Sequence, residues 1–190
     1  MLRGILKTFV LVGCVSSASA LASAQQVVHA VSGTVNNINL SQKTISVITD
    51  DGSGGTFKEL TDSKTPVDFD KTLRADATAV DAFNKKQTCV IVYYFGEGDV
   101  RTAIALRDIG PGPFKKVNGQ VVKFEGKNHS ISIKDQSEAV ASFKITESTV
   151  ADTGMGAVKG LKFEPGKGDQ VRVISTDVNG TATVLFIKSL

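Results

Sequence analysis

The sequence has few of the residues that build catalytic and metal sites. Its 190 residues include no tryptophan, two cysteines, two methionines and two histidines. Acid–base and nucleophilic catalysis needs a reactive group beside a matched base, yet His29 precedes the first predicted strand and His129 lies in a turn of the other half of the chain. No phosphate-binding loop, dinucleotide fingerprint or Gly-x-Ser-x-Gly elbow occurs. We therefore expect no enzyme activity and no bound cofactor.

The shortage of cysteine argues against a disulfide framework. Residues 1–24 have the features of an export signal, with Arg3 and Lys7 before an apolar run at 8–15 and small residues at 22–24. We expect cleavage after Ala24, which removes Cys14 and leaves Cys89 as the single thiol. The mature protein is then periplasmic or secreted.

A lipid anchor is the alternative for the same segment. Residues 11–14 (LVGC) are similar to a bacterial lipobox, in which Cys14 would become the lipidated first residue. Only six residues separate Lys7 from Cys14, which is short for the apolar core of a signal. This spacing favours plain cleavage, with a lipoprotein anchored through Cys14 as the competing interpretation.

The charge gives no reason to expect a nucleic-acid partner. Without residues 1–24, the chain has 20 basic and 19 acidic residues. Residues 29–109 carry a net charge of −2 and residues 110–190 a net charge of +3. This difference could help the halves to dock, although two separately solvated surfaces are the simpler interpretation. No later apolar run is long enough for a transmembrane span.

The clearest positive feature is an internal duplication. Residues 32–35 (SGTV) and 43–47 (KTISV) return 86 positions later as NGQV and HSISI. The segments 89–92 (CVIV) and 102–106 (TAIAL) return 81 positions later as QVRV and TVLFI. A repeat of about 80 residues fits a small domain duplicated in tandem. We predict domains at 29–109 and 114–190, joined by the Gly-Pro linker 110–113.

Period-two alternation predicts five strands in each copy. They fall near 30–37, 43–49, 55–60, 88–96 and 100–107, and again near 116–124, 129–135, 140–146, 169–176 and 181–188. The predicted fold is mainly β, with two tandem small five-stranded barrels of the OB or SH3-like kind. A short helix is predicted over residues 73–86 of the first copy, whereas the glycine-rich counterpart at 154–167 should be looser.

The order of these motifs resembles a known family. Gly-x-Val, a turn, Lys-x-Ile-x-Val, a Phe strand, a variable crossing, a Gly-Asp-x-Val element at 168–171 and a closing strand are similar to a family of small exported bacterial β-barrel domains of uncharacterised function. The resemblance covers both copies. It implies a fold and an exported location, and carries over no catalytic, cofactor or metal residue.

A small exported barrel could also bind a metal ion or an oligonucleotide. Small exported OB barrels include periplasmic copper chaperones, whose barrel binds its ion through His, Met and a Trp lid. Here tryptophan is absent and Met155 is the only methionine after residue 24. Oligonucleotide binding needs aromatic residues on a basic groove, but Tyr94 lies close to Glu97 and Asp99. The leading hypothesis is a non-enzymatic binding or assembly module for a protein or envelope component, and the alternative is a periplasmic metal carrier of the copper type.

One strand face stands out as a candidate interface. Val90 and Val92 align with Val171 and Val173 and should belong to the two cores. The outer faces then carry the candidate interface residues, which are Cys89, Ile91, Tyr93 and Phe95 in the first copy and Val184 and Phe186 in the second. Leaving such side chains wet forfeits about 1.5–3 kcal/mol for each large one. We predict that the face is covered by the helix, through Leu73, Val80 and Phe83, or by the other barrel, and that Cys89 reacts slowly. An exposed patch for an external partner is the alternative.

Overall fold

The computed structural model describes residues 25–52 and 54–190. The predicted export signal, with Cys14, lies outside the described residues. The first half of the chain forms β1 (Gln26–Val27), β2 (His29–Asn39), β3 (Thr44–Thr49), β4 (Gly54–Glu59), β5 (Val67–Asp68), α1 (Lys71–Ala75), β6 (Cys89–Phe95) and β7 (Val100–Gly110). The second half forms β8 (Lys115–Glu125), β9 (Ser130–Asp135), β10 (Val140–Lys144), β11 (Val150–Thr153), β12 (Gly156–Lys159), β13 (Gln170–Val178) and β14 (Thr181–Ser189). Across the described residues, no helix is long and apolar enough to span a membrane.

The first barrel closes in the strand order β2, β3, β4, β7 and β6, with β6 returning to β2. Neighbouring strands are antiparallel except β4 and β7, which run parallel. Alternate residues of each strand face inward, so that Val35, Val47, Phe57 and Val92 meet in one buried core.

The second barrel repeats this arrangement with β8, β9, β10, β14 and β13. Its parallel closure joins β10 to β14 at Lys144 and Thr183. A hairpin of β11 and β12 extends the sheet, because β11 pairs with the later part of β14, where Val150 lies opposite Phe186. The predicted fold class is confirmed: a mainly β protein with two closed five-stranded barrels and one short helix in the first half.

Two glycines let neighbouring strands approach closely where the barrels bend. A Cβ atom on Gly33 or on Gly119 would collide with backbone atoms of the paired strand. The register of β2 shifts two residues after Gly33, and that of β8 shifts two residues after Gly119. A bulge therefore follows each of these glycines, in matching places of the two copies.

The helix is shorter than the predicted 73–86 segment. Asp70 caps its first turn by accepting a hydrogen bond from the backbone N–H of Thr72 at 2.7 Å, and α1 ends at Ala75. The helix cannot continue because the backbone N–H and C=O of Thr78 both hydrogen-bond to Leu106, which holds Thr78 extended. The apolar spacing in 73–86 therefore does not come from one helical face.

The glycine-rich segment 154–167 was predicted to be loose, and this prediction is wrong. It contains β12 and a 3₁₀ turn at Gly160–Lys162. Gly160 donates a backbone hydrogen bond to the C=O of Thr149 at 2.8 Å, and a Cβ atom at this glycine would collide with the Thr149 side chain. The glycine serves close packing here, and not flexibility.

Candidate functional site

The two barrels meet in an apolar cluster that is separate from their own cores. We call it the inter-barrel core. Its buried members are Val28, Ala30, Phe69, Leu73, Ile91, Tyr93 and Ala105 from the first half of the chain and Val150, Ile174 and Phe186 from the second. The rings of Phe69 and Tyr93 lie 4.9 Å apart between centroids. Burial of the large members at about 1.5–3 kcal/mol each favours the docked arrangement.

The structure brings three of the six candidate interface residues together. Ile91, Tyr93 and Phe186 lie in the inter-barrel core with at most 1% of their surface exposed. Cys89 and Phe95, at the two ends of β6, are partly exposed and lie outside this cluster. The Cys89 Sγ lies 3.6 Å from the Thr34 hydroxyl oxygen. The candidate face is thus covered in its middle and accessible at its ends.

Val184 does not share the position of Phe186. The register of β13 and β14 shifts so that Ile174 faces Phe186 while Ser175 faces Val184, which leaves Leu185 as the extra residue. This bulge reverses the alternation, so Val184 points into the core of the second barrel. The prediction that Val184 belongs to an outer face was therefore wrong, because counting by twos cannot detect an inserted residue.

The predicted cover by the helix is only partly observed. Leu73 of α1 packs in the inter-barrel core, but Val80 and Phe83 pack inside the first barrel. The other barrel completes the cover through Ile174 and Phe186. Both alternatives for covering the face are therefore used, each in part.

A buried carboxylate ties the barrels together beside this core. Asp152 of β11 is 3% exposed and accepts hydrogen bonds from the Ala30 backbone N–H at 3.0 Å and from Lys188 Nζ at 2.9 Å. Nδ1 of His29 lies 3.2 Å from the same carboxylate. Because Ala30 and His29 belong to β2 and Lys188 to β14, one side chain joins elements of both barrels.

In the part of the chain that the structure describes, four further ion pairs cross the junction, and all four have the same charge arrangement. Each takes its acid from the first half of the chain and its base from the second. The pairs are Asp50 with Lys116, Asp51 with Arg172, Asp70 with Lys162 and Asp76 with Lys159. The opposite net charges of the two halves therefore meet at the junction, and the interpretation as separately solvated surfaces was wrong for these residues.

Two of these acids have a lowered pKa. Hydrogen bonds from Thr72 and Lys162 hold the pKa of Asp70 far below its ordinary value. The hydrogen bond from Lys159 lowers the pKa of Asp76. Both carboxylates are therefore charged at neutral pH.

A cleft of about 640 Å³ opens beside the ion pairs, where both barrels contribute walls. Its volume falls in the range of small-molecule sites. Arg107 Nη1 donates a hydrogen bond to the Ser148 backbone C=O at 2.5 Å, which links the first barrel to one wall. The cleft is lined by Thr72, Ala75, Asp76, Glu147, Ser148, Lys159, Leu161 and Lys162. The lining side chains carry charges of both signs, while most of the surface inside the cleft is apolar. No part of this pattern was predicted from the sequence, because its residues are far apart along the chain.

The residues considered for a metal lie apart from this cleft. Met155 is 89% exposed in the turn between β11 and β12. His129 adopts a left-handed backbone conformation before β9. Within residues 25–52 and 54–190, no three His, Cys, Asp or Glu side chains are grouped in a way that could hold a metal ion.

Comparisons with known proteins give structural likeness only. No family model and no curated protein matches the chain. Silver-bound CusF residues 10–88 from Escherichia coli is similar at 18% identity and a TM-score of 0.33, covering 41% of this chain and 92% of that one. Another silver-bound CusF has 17% identity and a TM-score of 0.33, covering 42% and 100%. Apo-CusF residues 6–88 from Escherichia coli has 16% identity and a TM-score of 0.32, covering 43% and 95%.

Proposed function

We propose that the protein is a non-enzymatic, exported binding module whose two barrels dock to form one ligand cleft at their junction. The observation that carries this proposal is the shared lining: Thr72, Ala75 and Asp76 come from the first barrel, and Lys159 and Leu161 from the second. Neither barrel alone would possess the site. The duplication is then more than a repetition of one domain, because the pair creates a surface that a single copy lacks.

The export part of the proposal rests on residues 1–24, whose composition is that of a signal segment. The mature protein would act in the periplasm or outside the cell, with attachment through Cys14 as the alternative. Its partner would be a protein or another component of the envelope. The intact mass of protein isolated from its natural host distinguishes a chain that starts at Gln25 from one that starts at a diacylated Cys14.

Filling the cleft tests the binding role. Ala75 is exposed and lines the cleft, so Ala75→Trp should block it without disturbing a core. The matched control is Ala139→Trp, at an exposed alanine in the hairpin between β9 and β10. Both full-length variants and the unchanged protein are immobilised and exposed to solubilised cell envelope, and retained components are identified by mass spectrometry. A component retained by the unchanged protein and the control but lost with Ala75→Trp supports the proposal; equal retention by all three contradicts it.

The alternative, a copper-type carrier, makes a different prediction. A carrier should bind one equivalent of Cu(I) or Ag(I) tightly, with soft ligands that include Met155 or His129. The separation of these residues from a ligand group leads us to expect only weak surface binding. Calorimetric titration of the full chain with Ag(I) decides between them, since one tight equivalent that Met155→Ala or His129→Ala removes would favour the carrier.

A further inference from the structure

The first barrel carries an arginine at an inward-facing position near one end. β4 and β7 pair in a register that places Arg101 beside Phe57, and side chains at paired positions share one face of the sheet. The Phe57 ring is fully buried in the barrel core. The guanidinium carbon of Arg101 lies 4.7 Å from the Phe57 ring centroid and 4.9 Å from that of Tyr94. Two aromatic faces thus hold this cation in place.

The charge of Arg101 has no counter-ion in the described part of the chain. None of the ion pairs between described residues includes it. Its Nε is buried and finds no hydrogen-bond acceptor there. Glu97 and Asp99 follow Tyr94 in the next hairpin, yet both remain exposed and form no ion pair with Arg101. A partly buried cation without a counter-ion is costly, and an anion from outside the chain would offset this cost.

Space for the guanidinium depends on Gly55. A Cβ atom at this position would lie 2.7 Å from Arg101 Nη2 and 2.9 Å from Phe57 Cε2. Both distances are shorter than van der Waals contact, so any larger residue would displace the cation. Because Gly55 has no side chain, it leaves the space that the guanidinium occupies. We call Gly55, Phe57 and Tyr94 together the cradle for Arg101.

The second barrel shows that the fold does not need this arrangement. At the matching repeat positions, Ala141 replaces Gly55, Ser175 replaces Tyr94 and Ala182 replaces Arg101. Ala141 and Ala182 pack against the core of the second barrel, which therefore has small residues at these two positions. Closing a barrel of this type does not explain the arginine, the tyrosine and the glycine together.

We propose that Arg101, held over Phe57 and Tyr94, binds the carboxylate or phosphate group of a small anionic ligand at this end of the first barrel. A guanidinium presents several N–H donors in a planar fork that matches such oxyanions. The two rings fix its orientation beforehand, so that less side-chain entropy is lost on binding. None of these residues lines the inter-barrel cleft, so this site is independent of the proposed function.

The test uses the full chain and two defined probes, sodium acetate and sodium phosphate, with sodium chloride at matched ionic strength. Nitrogen-15 NMR follows the Arg101 Nε–H signal, and tyrosine fluorescence gives a second readout because the chain contains no tryptophan. We expect a saturable change with one or both oxyanions that chloride does not reproduce. Acetate as the stronger probe assigns a carboxylate ligand, and phosphate as the stronger probe assigns a phosphate ligand.

Variants connect the signal to Arg101. Arg101→Gln should weaken binding by about tenfold or more, as expected for loss of a charge-assisted hydrogen bond. The double change Gly55→Ala with Arg101→Ala copies the second barrel at these two positions and keeps a well-packed alternative if Arg101→Gln folds poorly. Arg74→Gln is the matched control, since Arg74 stacks on Phe69 at 5.3 Å but is exposed. A response that chloride reproduces, or equal binding by the double variant, overturns the proposal.

Discussion

The two barrels have the same strand order but differ in the side chains at their outer positions and at one end. Both close through the same strand order and place paired valines inside, Val90 and Val92 in one and Val171 and Val173 in the other. They differ at the outer positions of the matching strands and at one end, where Arg101 corresponds to Ala182. Inner positions must fill a closed volume and therefore tolerate little change. Outer positions are free to form the junction, whereas the charged site occupies an inward-facing position at one end of the first barrel.

Separating the two barrels should have the largest effect on stability, and it tests whether each barrel folds independently. Each copy has a full strand set, so fragments 25–111 and 112–190 should each give β-type circular dichroism and a cooperative melt. Each should be less stable than the full chain, because separation exposes Ile91 and Tyr93 in one and Phe186 in the other. Thermal unfolding of the fragments, alone and mixed, measures the effect. If both fragments are disordered when alone and when mixed, the two copies are not independent folding units.

Phe186→Ala should come next in size. Truncating a buried phenylalanine costs about 3–5 kcal/mol, and here the loss falls on the junction because Phe186 lies in the inter-barrel core. We expect urea unfolding to change from one transition to two, as the barrels lose their coupling. The matched variant Phe143→Ala removes an equally buried ring from the second core alone. Two identical unfolding curves would show that the junction does not couple the barrels.

Gly55→Ala should have an intermediate effect. The new methyl group would meet Arg101 and Phe57 at less than contact distance, which costs about 1–3 kcal/mol. Combining it with Arg101→Ala should restore much of the lost stability, because the second barrel uses alanine at both matching positions. Chemical denaturation of the single and double variants measures the coupling. Additive losses would contradict the cradle for Arg101.

Acid should have the smallest effect. The pKa of Asp70 and that of Asp76 are lowered in the folded protein, so their contribution to stability is present above their ordinary value of 3.8 and is lost as the pH falls below it. Each exposed pair contributes about 0.2–1 kcal/mol. Lys162→Met should remove part of the difference in urea midpoint between pH 7 and pH 3, and an unchanged difference would show that Asp70 and Lys162 do not contribute.

Period-two patterns predicted the barrels well because a closed sheet with one dry face imposes alternation directly on the sequence. The duplication also predicted a covered face, and Ile91 and Tyr93 are in fact buried at the junction. Three features could not be found in this way. The bulge that turns Val184 inward adds one residue, and no residue type in the sequence signals it. The segment around Val80 and Phe83 has the apolar spacing of a helix but forms a series of turns.

The third feature is the hairpin of β11 and β12. Its glycines led to the prediction of a loose segment instead of strands. Gly156 has a φ of +112° and lies so close to the residue just before β2 that a Cβ atom would be 2.8 Å from the Val28 carbonyl oxygen. This glycine permits a close approach between barrels that are far apart in sequence. The cleft depends on the same long-range contacts, and a single sequence contains no signal for them.

The hairpin has a consequence for solubility. A closed barrel has no free strand edge, but β12 ends the sheet of the second barrel and would present unpaired backbone groups. Ala157 donates its backbone N–H to the Val28 carbonyl at 2.7 Å, and Lys159 places a charge on the same strand. Among the described residues, the first barrel thus covers part of this edge, through which the second barrel could otherwise pair with another copy. We therefore expect docking to limit self-association, and a change that loosens the junction should increase aggregation.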